Sequence, residues 1–391
     1  MSPCRSRYLS ALNLEWLKKA AKEHLEELRS QNPDAQLSDA QLAIAREYGQ
    51  SSWRQLHAHV EAIRQAMDQL SQRQTTATET IAADDPDFLE VMSAIVAGDQ
   101  KRLEVVLRRR PQLVHGRDAD GQMPLHMAAQ HNDPTIGVML LLFGADPQAR
   151  LGNSHHTPLS WAVTCNALEF AQTLVRAGVK PDLFVAAGMG SLEMVELCFD
   201  EQGQLLPSSV LTGSTRFKHG NRLPCPPETE SEQIADALYM ACRNAHVAVV
   251  KFLLTKQPDL HFRAFQGGTL LHWAYFGNST QIISLIEQAG GDSSSRDDLL
   301  HVTPRAFGIC TPANWGFLEL VQRQVKRDPS LVHLVDGTSA IHEAARQGHL
   351  NVVQWLISAG ADKDLKNSEG KTARELATEK GHEQIASYLN Q

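Results

Sequence analysis

The sequence predicts an all-α solenoid preceded by a helical N-terminal segment. Apolar patterns of helical period recur along most of the 391 residues, short glycine turns separate them, and the whole pattern returns at a nearly constant spacing. The most complete copy, DGTSAIHEAARQGHLNVVQWLISAGADKDLKN at 336–367, contains two short helices that end at Gly348 and Gly360. Two such helices cannot bury their apolar faces alone, so the segment needs copies of itself on both sides.

Copies of this segment are present through the last three-quarters of the chain. The positions equivalent to His342 are Met92, His126, Ser160, Phe184, Tyr239, His272, Ala306 and Glu375. Six of the eight steps between successive positions are 33 to 36 residues long, whereas the steps before and after Phe184 are 24 and 55. The register is therefore regular except around Phe184.

The segments MPLHMAA, TPLSWAV, TLLHWAY and SAIHEAA, with FGADP and SAGAD after the second helices, resemble the ankyrin-repeat family. The resemblance covers residues 87–391 and implies an ankyrin-repeat solenoid there. Because ankyrin arrays commonly hold partners without chemistry, it also implies a scaffold that binds a partner protein on its concave face.

Residues 1–70 do not follow the repeat, and their apolar spacing predicts a helical leader ahead of a polar linker at 71–86. The leader resembles helical segments that precede ankyrin arrays in other bacterial proteins. It also has a superficial likeness to a helix-turn-helix. Residues 1–86 contain ten Lys/Arg against twelve Asp/Glu, which disfavours a DNA-binding face.

Composition and motifs disfavour several classes of function. A formal charge of -8 disfavours a general binder of nucleic acid or anionic membranes, and no apolar run approaches the length of a membrane-spanning helix. The six cysteines are scattered with no CxxC pair, so we expect free thiols in a reducing cytoplasm and no metal site. We expect no cofactor, because no P-loop, dinucleotide fingerprint, GxSxG or HExxH motif occurs.

Two insertions interrupt the predicted array, at 200–230 and at 310–315. The first follows an outer helix at the position of a repeat finger. The second stands between two helices of one repeat, and we expect a loop there because Pro312 is unfavourable inside a helix. The short step before Phe184 leaves no room for a finger, and we expect the first insertion to fill that gap by packing over the inner helices.

Aromatic and charged residues concentrate between 212 and 316, where regular repeats carry small or apolar ones. The candidate binding residues are Arg216, His219, Arg222, Tyr239, Arg243, His272, Trp273, Tyr275, His301, Arg305, Asn314 and Trp315. His272 occupies a position where a repeat histidine bonds to backbone, so a structural role is the simpler interpretation.

A second hypothesis keeps these residues as the walls of an enzyme or small-molecule pocket. Arginines such as Arg216 and Arg222 would bind a small anionic ligand, and His219 or His301 would move protons near neutral pH. No catalytic motif supports this alternative, and the catalytic residues it would need are not identified by the sequence.

Overall fold

The computed structural model describes residues 14–47, 51–58, 61, 81–152, 154–210, 217–218, 221–222 and 227–390. The chain is all-α, as the sequence predicts, and it forms two compact units, residues 1–185 and 186–391. The predicted leader, linker and array boundaries at 70 and 86 stay predictions.

The N-terminal unit begins with a helical pair, α1 (Leu14–Gln31) and α2 (Leu37–Glu47), which pack against each other. Asn32 and Pro33 separate them, as the sequence predicts. Residues 53–58 are also helical, whereas Gly49 and residues 71–80 of the predicted linker lie outside the described residues.

Six further helices complete the repeats of this unit. They are α3 (Pro86–Val96), α4 (Gln100–Arg109), α5 (Pro124–Gln130), α6 (Pro134–Leu142), α7 (Pro158–Thr164) and α8 (Leu168–Arg176). The inner helices α3, α5 and α7 pack side by side, and the outer helices α6 and α8 do the same. Asp85 caps α3 through the backbone N–H groups of Asp87 and Phe88, and the Arg110 guanidinium beside Asp85 holds the pKa of that carboxyl below its usual range.

The step before Phe184 has no finger, as the sequence predicts. Only six residues separate Arg176, the last residue of α8, from α9 (Leu183–Gly188). The next outer helix, α10 (Leu192–Glu196), is short and begins at the N-cap Ser191.

After α10, the described residues 227–390 of the C-terminal unit form five helix pairs. They are α11 (Glu230–Arg243) with α12 (Val247–Leu254), α13 (Leu270–Phe276) with α14 (Thr280–Gln288), α15 (Pro304–Asn314) with α16 (Leu318–Arg327), α17 (Ala340–Arg346) with α18 (Leu350–Ser358), and α19 (Ala373–Glu379) with α20 (Glu383–Leu389). The inner helices α11, α13, α15, α17 and α19 pack in sequence order, each on the next. Three of these inner helices, α11, α13 and α15, carry most of the side chains of the candidate site.

Each inner helix of the C-terminal unit connects to its outer helix through one residue with positive φ. The residues in this position are Ala245, Asn278, Gly316, Gly348 and Gly381. The left-handed residue reverses the chain within three residues and places the next side chain at the N-cap of the outer helix.

The insertion at 200–230 is ordered in its described parts. The Leu206 N–H donates to the Cys198 carbonyl at 2.8 Å, and the Leu205 N–H donates to a Glu230 carboxylate oxygen at 3.1 Å. Further on, β1 (Phe217–Lys218) and β2 (Asn221–Arg222) pair antiparallel, and β1 lies against the 3₁₀ turn Phe265–Gly267. The expectation that the segment packs over inner helices is not tested at 211–216, 219–220 and 223–226, which lie outside the described residues.

The loop predicted at 310–315 is wrong, because α15 continues through Pro312 to Asn314. The extra residues lengthen the helix from the seven of α13 to eleven, or by about one turn. A proline inside a helix costs roughly 3 kcal/mol. Here nine of the eleven residues of α15 are buried, and that burial offsets the lost backbone hydrogen bond.

Candidate functional site

Three neighbouring inner helices contribute an aromatic cluster centred on Trp273. Its indole is fully buried in α13, with ring centroids 5.0 Å from Tyr239 on α11 and 5.1 Å from Phe307 on α15. Phe276, one turn further along α13, lies 5.3 Å away. Edge-to-face and tilted contacts at these distances stabilise the pairs beyond simple area burial, so the cluster ties the three helices together.

The cluster continues to the surface through Trp315 and Phe317. The Trp315 ring, which is half-buried, lies 5.4 Å from Phe276 and 5.6 Å from Phe317, and Phe317 is 48% exposed. Phe265 approaches from the 3₁₀ turn, with its ring 6.1 Å from Trp315. Phe265, Trp315 and Phe317 therefore form a partly exposed aromatic surface over a buried aromatic floor.

Arg243 adds a positive charge beside this surface. Its guanidinium carbon lies 5.9 Å from the centroid of Trp273 and 5.7 Å from that of Phe276. Cations at this distance from a ring face are attracted by its quadrupole. Four of the predicted binding residues lie close together in the structure: Tyr239, Arg243, Trp273 and Trp315. Their part in binding stays a prediction.

Tyr239 and Trp273 act as the floor of the site. Tyr239 is 5% exposed, and burial raises the pKa of its phenol to about 12. A partner on the outside of the chain would meet Phe265, Trp315 and Phe317 first.

His272 makes backbone contacts through both of its ring nitrogens. The Thr269 N–H donates to Nδ1 at 3.1 Å, and Nε2–H donates to the Val302 carbonyl at 3.2 Å. Burial lowers the pKa of this fully buried ring to about 4, so the ring is neutral at pH 7. The contacts agree with the structural interpretation of this position.

Tyr275, His301 and Arg305 make their visible contacts away from the aromatic surface. The Arg327 guanidinium lies 5.7 Å from the Tyr275 ring, and Arg305 pairs with Asp328 at 2.7 Å. His301 is exposed, and its carbonyl accepts a hydrogen bond from Arg296. The structure does not bring these three residues together with the aromatic cluster.

Asn314 links α15 to α17 through a carboxylate that sequence reasoning missed. Its Nδ2 donates to Glu343 at 3.0 Å, and the Thr338 hydroxyl donates to the other Glu343 oxygen at 2.7 Å. Glu343 is only 2% exposed, so these bonds compensate the cost of burying its carboxylate. A charged residue on an inner helix was the available signal, but its partner on the inner helix of the neighbouring repeat was not visible in the sequence.

Three predicted binding residues cannot be placed as side chains. Arg216 and His219 lie outside the described residues, and Arg222 is described only as backbone in β2. Their part in the site stays a prediction.

The described residues contain no group of three or more His, Cys, Asp or Glu side chains placed to hold a metal ion. Of the helices in the described ranges, none is long and apolar enough to cross a membrane.

Comparison with known proteins gives the family. A family pattern described as ankyrin repeats (3 copies) matches residues 91–185 and 309–391. The chain is an ankyrin-repeat protein. The match leaves 186–308, which contains most of the aromatic cluster, outside the family pattern.

The similar proteins differ widely in the share of their length that the chain covers. The chain is 24% identical to the B-cell lymphoma 3 protein homolog of Mus musculus over 269 residues, which is 65% of this chain and 48% of the mouse protein. It is 26% identical to the ankyrin repeat and KH domain-containing protein mask-1 of Caenorhabditis elegans over 234 residues, or 60% of this chain and 8% of the worm protein. The human B-cell lymphoma 3 protein is also 24% identical, with 47% of its length covered. The chain thus spans half or less of these ankyrin-repeat relatives.

Proposed function

We propose that this ankyrin-repeat protein binds a partner protein on the inner-helix side of residues 186–391, at the surface formed by Phe265, Trp315, Phe317 and Arg243. The single observation that carries the proposal is the continuous aromatic cluster that runs from fully buried Trp273 to 48% exposed Phe317. Ankyrin repeats generally serve as scaffolds for protein partners, which sets the class of the ligand.

The composition of this surface suits a protein partner. Binding energy at interfaces concentrates in a few Trp, Tyr and Arg residues at well-packed centres. Trp315 and Arg243 both lie against the Phe276 ring. The buried Trp273 ring, which packs on Tyr239, lies 6.2 Å from the Trp315 ring. A partner therefore meets side chains whose positions are already fixed, which lowers the entropy lost on binding.

The described contacts give less support to the enzyme or small-molecule alternative. Two residues that it would use are engaged elsewhere, because Arg305 is paired with Asp328 and Ser330 and His272 is fully buried. The small anionic ligand remains a prediction that depends on Arg216, His219 and Arg222.

The test is capture of a partner by the 391-residue chain and by two matched variants. Phe317→Ala removes an exposed ring, and we expect it to weaken binding of the captured protein about tenfold, or by about 1.4 kcal/mol. Leu197→Ala, at the C-cap residue of α10, which is 57% exposed, is the control and should leave binding unchanged. Capture of no stoichiometric partner, or equal binding by both variants, would contradict the proposal.

A further inference from the structure

The outer helix α6 of the N-terminal unit is unusual because its nine residues, PTIGVMLLL, include no charged side chain. An outer helix of a solenoid faces water on its far side and ordinarily carries polar residues there. The next outer helix, α8, has such residues in Glu169 and Arg176. On α6 the outward surface is apolar, since Leu142 is 48% exposed and Val138 and Met139 are partly exposed.

A groove of about 430 Å³ separates α6 from the preceding outer helix, α4. One of its walls is mostly apolar and comes from α6 and its C-cap, and the other comes from α4. The lining residues are Thr135, Val138, Met139, Leu142 and Phe143 on the first wall and Glu104 and Arg108 on the second. Apolar surface that is exposed in one patch marks sites of association, because covering it removes it from water.

Val105 extends the apolar surface onto α4. It is 67% exposed, more than any other large apolar side chain among the described residues. The four residues one helical turn away from it, at i−4, i−3, i+3 and i+4, are all cations: Lys101, Arg102, Arg108 and Arg109. The face formed by α4 and α6 therefore has an apolar centre and a basic rim.

The positive charges of this rim lie outermost. Three arginines around Val105 pair with carboxylates, and in each pair the arginine is the more exposed partner. The side chain of Arg108 is 72% exposed against 42% for Glu104, and that of Arg109 is 60% exposed against 28% for Asp87. Exposed ion pairs contribute little to stability, so these guanidinium groups are available to a partner that brings carboxylates of its own.

We propose that this face is a second docking surface and that it takes an amphipathic helix of another protein, with acidic residues beside its apolar stripe. The apolar side chains of that helix would fill the groove between α4 and α6, as amphipathic helices do in other helix-binding grooves. Its carboxylates would lie beside Lys101 and Arg108. The proposal does not depend on the aromatic surface, which belongs to the C-terminal unit.

Shape and charge favour this occupant over two others. A groove buries side chains that project from a helix, whereas an anionic membrane would contact its basic rim and leave the apolar floor unfilled. A second copy of the chain carries the same formal charge of -8, and the repulsion between two such molecules opposes self-association.

A phage library of helical peptides of about 18 residues, or about five turns, with one face randomised and selected on the 391-residue chain, tests the assignment. We expect the enriched peptides to carry apolar residues at i, i+3, i+4 and i+7 and Asp or Glu beside them. The dissociation constant of a synthetic enriched peptide, measured by fluorescence polarisation, should rise severalfold between about 50 and about 500 mM salt, because salt screens the attraction between exposed charges.

Two variants separate the apolar and the charged contributions. Leu142→Glu places a carboxylate in the groove and should weaken peptide binding at least about tenfold, whereas Leu197→Glu, at a similarly exposed apolar position, should leave it unchanged. Arg108→Glu should weaken binding of the enriched peptide and leave unchanged the binding of a version whose acidic residues are replaced by Gln. Melting temperatures accompany each measurement, and Val105→Glu replaces Leu142→Glu if the latter melts early.

Several results would overturn the assignment. They are the enrichment of no peptide, enriched peptides without an apolar stripe or without acidic residues, and equal affinity for Leu142→Glu and the unmodified chain. Binding to phosphatidylserine-containing vesicles that Leu142→Glu abolishes, or a dimer in light scattering that this variant dissociates, would assign the face to a membrane or to a second copy instead. Phe317→Ala should leave peptide binding unchanged, so failure here is distinct from failure of the proposed function.

Discussion

At the scale of single residues, Gln324 makes hydrogen bonds that residue 317 would otherwise have to make. Its amide donates to two carbonyls at the end of α13, whereas in the following repeat the equivalent carbonyl of Asn314 accepts from His349 at the N-cap of α18. Because the amide of Gln324 reaches these carbonyls from inside α16, residue 317 is free to vary without leaving buried acceptors unpaired. Residue 317, seven positions away, is thereby available for the proposed partner surface.

Replacing Gln324 tests this division of roles. Gln324→Ala removes the donor to Tyr275 and Phe276 and leaves two carbonyls without it, so we expect a loss of about 2 to 4 kcal/mol in the free energy of unfolding. Gln322→Ala, at a partly exposed position of the same helix, is the control and should change stability by less than about 0.5 kcal/mol. Urea unfolding followed by circular dichroism measures both, and equal losses would refute the assigned role.

At the scale of elements, the inner helices approach so closely that the small residues at their ends become important. Gly277, the C-cap of α13, has φ of -64°, and a Cβ there would lie 2.1 Å from the Cys242 carbonyl oxygen near the end of α11. Gly308 on α15 similarly faces Tyr275, where a Cβ would lie 3.1 Å from the tyrosine Cβ. Glycine is used at these positions for close packing, since neither has the positive φ that favours it at turns.

A single methyl group should therefore disturb the α11–α13 contact. Gly277→Ala forces a Cβ against a backbone oxygen, and we expect a loss of about 2 to 3 kcal/mol despite the higher helix propensity of alanine. Gln347→Ala, at the equivalent C-cap of α17, is the matched control and should be nearly neutral. Thermal unfolding of both variants checks this, and an unchanged melting temperature for Gly277→Ala would show that α11 and α13 can separate without cost.

The sequence predicted the repeats well because their signals are local. Turn glycines such as Gly316 and Gly348 and the spacing of apolar residues report directly on φ and on helix faces. The sequence did not predict that α15 continues through Pro312. The burial that offsets the cost of the proline comes from contacts with α13 and α17, and these contacts cannot be seen in the local sequence.

The site was predicted only in part for a similar reason. Tyr239, Arg243, Trp273 and Trp315 stood out by residue type at inner-helix positions. Phe317 did not stand out, because its unusual position becomes apparent only when the N-cap residues of the outer helices are compared with the carbonyls that they contact. An alignment on the residue after each turn would have shown histidine at 246, 349 and 382, a serine at 279 and a large apolar residue only at 317.

At the scale of the whole molecule, buried neutral histidines connect successive repeats in both units. Nε2–H of His126 donates to the His156 carbonyl at 3.0 Å in the N-terminal unit, and His342 bonds to the Leu365 carbonyl at 3.0 Å in the C-terminal unit, as His272 does to Val302. Burial lowers the pKa of His126 and of His272 from 6.5 to about 4, and lowers that of His342.

This arrangement predicts that mild acid weakens both units. In the unfolded chain these rings bind a proton near pH 6.5, whereas in the folded chain His126 and His272 do so only near pH 4. The stability contributed by each neutral ring is therefore complete above pH 6.5 and is lost as the pH falls towards 4, by about 1.4 kcal/mol per pH unit in between. Each of the two should contribute a loss of about 2 kcal/mol between pH 7 and pH 5.

Glutamine variants separate this proton effect from the lost contacts. His272→Gln should lower stability at pH 7, yet its further loss between pH 7 and pH 5 should be smaller than that of the unmodified chain by about 2 kcal/mol. His126→Gln should behave alike, and His131→Gln, at an exposed ring, serves as the control. Urea unfolding at the two pH values measures each difference. An unmodified dependence on pH in His272→Gln would mean that the buried ring accepts its proton as easily in the folded chain as in the unfolded one, although protonation of Nδ1 would remove the acceptor of the Thr269 N–H.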